Sequence, residues 1–187
     1  AEMARRAGTT VMLDIDFRPD QWHDARAFGT TLRSVLRLVD IMIGTDDEIN
    51  AVMLTDPSQI NLTHSQISNA HVSGDINAAI LALFGMGPRV LAQKRGAAGS
   101  IVHLASNGEL PSQIEVPGFP VEVSNILGAG DAFASGFLYG FVKGWDWYKA
   151  ARLGNACGAI LVTRHGCANF MPTYDEVMAF IQDHGGF

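Results

Sequence analysis

The stretch "NILGAGDAFASGFLYG", Asn125 to Gly140, decides how the rest of the chain is read. Three small residues, Gly128, Ala129 and Gly130, run straight into an acid, Asp131, and then into a segment too apolar for a surface loop. Glycines let the backbone turn sharply and let a ligand come close. The apolar run from about Ala129 reads as a buried helix. Its first turn would carry unpaired N–H groups and the positive end of the helix dipole, an arrangement suited to anions. Asp131 could simply cap that helix, a contribution of about 1 kcal/mol. A cap explains neither glycine, nor the small residues continuing through Ala132, Ala134, Ser135 and Gly136. A phosphate over the N–H groups, with Asp131 beside it to take a proton from an attacking hydroxyl, accounts for both. No Gly-Lys-Ser/Thr follows, so the motif is not a Walker A loop, and no dinucleotide fingerprint follows the first strand.

Working outward, strands and helices alternate. "AEMARRAG" reads as the tail of a helix stopped at Gly8, and "TTVMLDIDF" as a buried strand because its apolar run is continuous. "DARAFGTTLRSVLRLV" has apolar residues at helical spacing, "DIMIGT" is a short strand, and "DDEINAVML" a short helix with acids in its first turn. Thr55 to His71 is weakly patterned and reads as loop plus a short helix. "GDINAAILALF" is a helix and "RVLAQK" a strand; "GSIVHLA" and "ELPSQIEVPGF" are strands, with Asn107-Gly108 as a hairpin turn between them. "DWYKAARLGNACGAILVT" and "TYDEVMAFIQDH" close the chain as helices. The class is therefore α/β with a mainly parallel sheet, read as one domain.

Composition narrows the function. The 187 residues are 48% apolar with a net charge of −6, and no window approaches a membrane span. No basic stripe suggests nucleic acid or an anionic membrane as partner. Two cysteines and six scattered histidines form neither a disulfide framework nor a zinc spacing. Reduced thiols and the absence of a signal-peptide pattern point to the cytoplasm.

At this point the sequence resembles a known family. "GAGDAFASGFLYG" is similar to the C-terminal signature of the ribokinase-like (PfkB) carbohydrate kinases. "VMLDIDFRPDQW" resembles the Asp-x-Asn-x-Arg-Pro-x-x-Trp stretch of keto-acid sugar kinases in that family. "GTDDEIN" stands where the family has Asn-x-x-Glu, "KRGAAGS" where it has its Gly-x-x-Gly nucleotide loop, and "NACGAILVTRHGCANFMPT" where it has its closing helix and tail. The resemblance covers essentially the whole chain. It implies a three-layer α/β/α sandwich, here without the family's first strands and lid. That agrees with a chain that opens on a helix tail with no strand before it. Residues 1–187 are then expected to be the C-terminal part of such a kinase domain, holding the ATP side and the base, and poorly active alone.

By resemblance, Asp131 is the general base toward a primary hydroxyl of a keto-deoxy sugar acid, and Gly128, Ala129 and Gly130 form the anion hole. Lys94, Gly96 and Gly99 fall on the nucleotide loop, and Asn155 lies where the family places an Asn near adenine. Glu48 matches the acid that orders Mg²⁺ through water. Thr45 stands where Asn is usual for a phosphate contact. Arg18 matches an arginine that pairs with the substrate carboxylate, a fit for its planar fork. The implied substrates and cofactors are ATP, Mg²⁺ and a small sugar acid, nearest to the inositol-catabolic substrate of the family. A 2-keto-3-deoxygluconate or a neutral sugar such as fructose remains open. So does a homodimer of the full-length protein. Asn125 and Ile126 replace an Asp-Thr pair that helps bind a monovalent cation, which leaves potassium activation open.

Taken without the family, several residues have plainer readings. "KRGAAG" can be an ordinary turn, "DDE" a solvated helical turn, Arg18 a surface ion pair, and Asn155 a polar residue on a small-residue helix. Two rival functions also fit parts of the chain. "VMLDIDFRP" resembles the Asp-x-Asp opening of haloacid-dehalogenase-type phosphatases, with Asp14 as nucleophile and Asp16 as acid/base, although Arg18 breaks that pattern. A non-catalytic nucleotide- or sugar-binding module is the other.

Overall fold

A computed structural model describes residues 1–63, 69–106 and 110–187. Five strands form one sheet in the order β1-β2-β5-β6-β7, namely Met12–Asp14, Ile41–Thr45, Val90–Lys94, Ser100–Leu104 and Ser112–Val116. β1 and β2 are parallel, pairing Met12 with Ile41 and Asp14 with Ile43. β5 and β6 are linked by only five residues, a span that permits antiparallel pairing alone. The sheet is therefore mixed. Two further strands, β3 (Ile60–Thr63) and β4 (Asn69–Val72), pair antiparallel as a separate two-stranded sheet.

That small sheet corrects the reading of Thr55 to His71 as loop plus short helix. Among the described residues of that stretch, the helical part is a 3-10 turn at Pro57–Gln59. Its signal was weak because the pairing is between the strands and not with the main sheet. The expected Asn107-Gly108 turn lies outside the described residues. β1 is also shorter and less buried than its apolar run suggested: among the described residues it pairs with β2 alone, and Met12, Leu13 and Asp14 are all half-buried.

The helices are α1 (Glu2–Arg6), α2 (Ala25–Val35), α3 (Asp46–Val52), α4 (Ile76–Gly85), α5 (Ala129–Val142), α6 (Trp147–Val162) and α7 (Tyr174–Asp183). Side-chain caps set most of their starts. Asp24 accepts from Arg26 N–H at 2.9 Å, and Asp75 from Asn77 and Ala78 N–H at 3.0 and 3.1 Å. Thr173 and Glu176 form a reciprocal capping box on α7. Among the described residues, no helix is long and apolar enough to cross a membrane.

The chain divides into two compact units. One comprises Ala1–Gln93 with His103–Ser112, the other Lys94–Val102 with Gln113–Phe187. In the first, Phe28 of α2 packs on Phe17 and Trp22 at ring separations of 4.7 and 5.6 Å, within a core that includes Leu36, Met42 and Ile49. In the second, α5 crosses α6 at backbone contact. A Cβ on Gly136 would lie 2.9 Å from Gly154 Cα, and one on Gly140 2.6 Å from Ala150 Cα. Such contacts are far inside normal carbon separations, so no larger residue fits there.

Candidate active site

The start of α5 is built by Gly128, its N-cap, with φ +83° in the left-handed region that glycine adopts without penalty. A Cβ there would also stand 2.9 Å from Cys167 Cβ. Ala129, Gly130 and Asp131 follow as the first three helical residues. The Ala129 N–H is taken by the Ile126 carbonyl at 3.2 Å and the Ala132 N–H by the Gly128 carbonyl at 2.9 Å. No side chain caps this end. Among the described residues, the N–H groups of Gly130 and Asp131 have no protein acceptor. The helix thus presents open donors and the positive end of its dipole.

Asp131 is exposed, and its backbone carbonyl accepts from Ser135 Oγ at 2.8 Å. It is the acid of the helix's first turn, where the dipole favours a negative charge. Lys94, at the end of β5, brings a cation to the same turn: a Cβ on Gly130 would lie 3.2 Å from Lys94 Nζ and near nothing else. Backbone donors and an ammonium group therefore meet at the turn that carries Asp131.

The expectation that the small residues after Asp131 make room for a bound phosphate along with the glycines does not hold for Ala132 and Gly136. Ala132 is buried in the core, and Gly136 makes the α5–α6 crossing. Their size serves helix packing, and only Gly128 and Gly130 relate to the open helix end.

The loop after β5 runs through a 3-10 turn, Gly96–Ala98, closed by a 2.8 Å bond from Arg95 N–H to the Gly99 carbonyl. Gly96 and Gly99 both have positive φ, at 57° and 93°. A Cβ on Gly96 would meet nothing within 4 Å, whereas one on Gly99 would lie 2.2 Å from the Val116 carbonyl oxygen. Gly99 is thus needed for packing against the end of β7, and Gly96 for the turn alone. Asn155 on α6 is buried, and its amide donates to the Val116 and Pro117 carbonyls at 3.2 and 3.0 Å. Arg152, one turn earlier, donates to the Pro117 carbonyl at 2.9 Å and lies 3.6 Å over the Phe119 ring. Together these side chains fix the segment against which the loop is seated. Sequence reasoning missed Arg152. Its signal was an arginine inside an otherwise small and apolar helix.

In the first unit, Thr45 and Glu48 form a capping box at the start of α3. Glu48 Oε2 accepts from Thr45 N–H at 2.7 Å, and Thr45 Oγ1 from Glu48 N–H at 3.3 Å. Both expected site residues therefore have a structural job in the chain itself. Arg18 Nε donates to Asp16 Oδ1 at 2.8 Å in a half-exposed pair. That bond raises the arginine's pKa first of all, with Asp16, Glu48 and Asp20 adding favourable charge. The ion pair anticipated as the plain reading of Arg18 is therefore present. It engages the Nε edge with a single oxygen of the acid. The structure brings Arg18 and Glu48 into one electrostatic neighbourhood, and Lys94 into that of Gly130.

A buried polar chain was missed entirely by sequence reasoning. Gln93 of β5 donates to Asp46 Oδ1 at 2.6 Å, and its carbonyl oxygen lies 2.7 Å from His103 Nε2 of β6. Among the described residues, no group of three or more His, Cys, Asp or Glu side chains could hold a metal ion by itself. A Mg²⁺ ion does not need such a cage, because it commonly keeps waters and substrate phosphates with one or two carboxylates.

The chain is an α/β fold with an open helix start carrying an acid. Residues 1–174 match the pfkB family carbohydrate kinases, and the chain belongs to that family. It is 30% identical over 181 residues to 5-dehydro-2-deoxygluconokinase of Geobacillus thermodenitrificans, covering 97% of this chain and 48% of that protein. It is 28% identical to the protein of the same name from Clostridium tetani, covering 97% and 49%. The chain thus spans about half the length of the curated relatives it matches. A solved E. coli protein assigned as Ribokinase II, in complex with ATP and Mg²⁺, superposes with a TM-score of 0.76 at 27% identity, over 98% of this chain and 52% of that one. Aminoimidazole riboside kinase of Salmonella enterica, complexed with aminoimidazole riboside and an ATP analogue, gives a TM-score of 0.75 at 23% identity, over 96% and 55%, and shows the shared fold. The ribokinase-like three-layer α/β/α architecture expected from sequence is therefore present, and the phosphatase reading of Asp14 and Asp16 is set aside.

Proposed function

We propose that the full-length protein transfers the γ-phosphoryl group of ATP to a primary hydroxyl of a keto-deoxy sugar acid, with 5-dehydro-2-deoxy-D-gluconate as the favoured substrate. The observation that carries this is the open start of α5, where unpaired N–H groups and the Lys94 ammonium meet at the turn that carries Asp131. Asp131 takes the proton of the hydroxyl. The resulting oxygen attacks the γ-phosphorus, the bond from that phosphorus to the β,γ-bridging oxygen breaks, and ADP leaves with the electron pair. The N–H groups of Gly130 and Asp131, with Lys94, hold the charge on the moving phosphoryl oxygens. Such transfer depends on positioning and charge far more than on covalent help. The substrate preference rests on similarity to proteins named 5-dehydro-2-deoxygluconokinase and on Arg18.

Arg18 would orient the substrate carboxylate with the guanidinium edge that Asp16 does not occupy. Gly96 and Gly99 would let the nucleotide lie against the backbone. Asn155 would act on the adenine side by holding Val116 and Pro117, since its amide nitrogen is engaged there. Thr45 would act through the helix start that it caps. Glu48 would hold Mg²⁺ through water, and the ion would supply charge neutralisation on the phosphates.

The test is Asp131→Asn in the full-length protein. A positioned base contributes about 10²–10⁴-fold, so kcat should fall by that factor while calorimetric ATP-analogue affinity stays near the unsubstituted value. Retained turnover would remove Asp131 from the chemistry and the mechanism with it.

A further inference from the structure

Three acids occupy the first turn of α3, and each is tied to something different. Asp47 Oδ1 accepts from Val72 N–H at 2.9 Å and lies 2.8 Å from His71 Nδ1. Glu48 is held by its own N-cap through the 2.7 Å bond from Thr45 N–H. Asp46, itself exposed, is reached from inside by Gln93, which is backed in turn by His103; the two are 6% and 2% exposed.

The direction of this last chain follows from its chemistry. Asp46 only accepts, so Gln93 must give it an N–H at 2.6 Å. The Gln93 oxygen then faces His103 Nε2 at 2.7 Å, which must carry the imidazole hydrogen. His103 Nδ1 is left as a buried acceptor without a partner among the described residues. Burial pushes the His103 pKa down, opposed by the charge of Asp46, so the ring is neutral. Each donor therefore points outward, and the one unsatisfied atom sits at the inner end.

Two polar residues at interior strand positions are an odd choice for stability. Apolar groups of the same shape are often neutral or stabilising there. Buried polar networks are instead good at specifying one geometry. Here the geometry specified is the setting of the α3 start. Residues two apart on a helix point in different directions. Anchoring Asp46 on one side therefore fixes which way Glu48 faces on the other.

We infer that His103, Gln93 and Asp46 form a positioning chain for Glu48, and so govern how strongly a divalent cation assists nucleotide binding. This rests on the reading of Glu48 given above. None of the three touches the nucleotide; they act by orienting the helix that carries Glu48. Disturbing the partners that orient a metal-site carboxylate typically costs about 10–100-fold in metal affinity.

The test uses the full-length protein and a non-hydrolysable ATP analogue, titrated calorimetrically with and without Mg²⁺. The quantity read is the factor by which Mg²⁺ tightens the analogue. Asp46→Ala, at an exposed position, should reduce that factor about tenfold, with metal-free affinity and sugar-acid KM unchanged. Asp46→Asn keeps an acceptor for Gln93 and should retain most of it, which separates a hydrogen-bonded role from a charge effect. Gln93→Met, which has no donor, should match Asp46→Ala. An unchanged factor in Asp46→Ala overturns the inference. So does an equal loss of metal-free and metal-assisted binding, which would mark a merely structural role. If Mg²⁺ fails to tighten the analogue in the unsubstituted protein, the assignment of Glu48 falls first and the inference falls with it.

Discussion

Adding one methyl group to Gly130 should separate stability from activity. Gly130 has no positive φ, and a Cβ there meets only Lys94 Nζ, at 3.2 Å. An alanine is therefore accommodated by a shift of a few tenths of an ångström in a flexible side chain. Gly→Ala at a compatible site stabilises by about 0.4–1 kcal/mol through the unfolded chain. In a domain of about 150–250 residues 1 kcal/mol moves Tm by about 2–4 °C, and the longer full-length protein shifts by less. Gly130→Ala should thus melt at or slightly above the unsubstituted temperature. Its methyl group would stand between the ammonium and the helix end, where phosphoryl charge is proposed to sit. Loss of one preorganised donor costs about 10²–10³ in kcat, so turnover should fall about a hundredfold.

Gly128→Ala is the internal control. Its φ of +83° makes a side chain strained, at about 1–2 kcal/mol, before the contact 2.9 Å from Cys167 Cβ is counted. That variant should lose stability and activity together. The assays are thermal melting by circular dichroism and coupled detection of ADP with a keto-deoxy sugar acid, both on the full-length protein. Full turnover by Gly130→Ala would refute the claim that the phosphoryl group is held at this turn. A large drop in its Tm would refute the packing argument.

Two further outcomes are expected. Arg18→Ala should raise the sugar-acid KM at least about tenfold, the scale of a charged hydrogen bond, with the ATP KM little changed; equal use of fructose and sugar acids by the unsubstituted protein would defeat the carboxylate role. Burial pushes the Cys157 thiol up to about 11, so a disulfide reagent at pH 8 should label the half-buried Cys167 first, and equal labelling rates would contradict this. The same shift favours the neutral thiol in the fold. Its contribution is fully present below about pH 9 and is lost as pH rises from there through about 11.

Much of the fold was legible from local pattern. The helices at Ala129–Val142, Trp147–Val162 and Tyr174–Asp183 follow from spacing and from caps at Asp146 and Thr173. β3 and β4 were not legible, because their pairing is mutual and their pattern too short to separate from loop. Within the site, the Gly-Ala-Gly-Asp run announced an open helix start beside an acid, since glycines, helix end and acid are consecutive.

The sequence alone determined which residue types were available at that turn, the order of the main-sheet strands and long helices, and the family to which they belong. Only the tertiary structure decided that Lys94 reaches Gly130, that Gly136 serves a helix crossing, and that Asn155 and Arg152 hold Val116 to Gly118. It alone disclosed the line from His103 through Gln93 to Asp46. The physical reason is range. Capping and periodicity act over a few residues and leave a mark in the local pattern. Hydrogen bonds between residues 34 to 47 positions apart depend on where the sheet and helices bring the backbone, which no local window records.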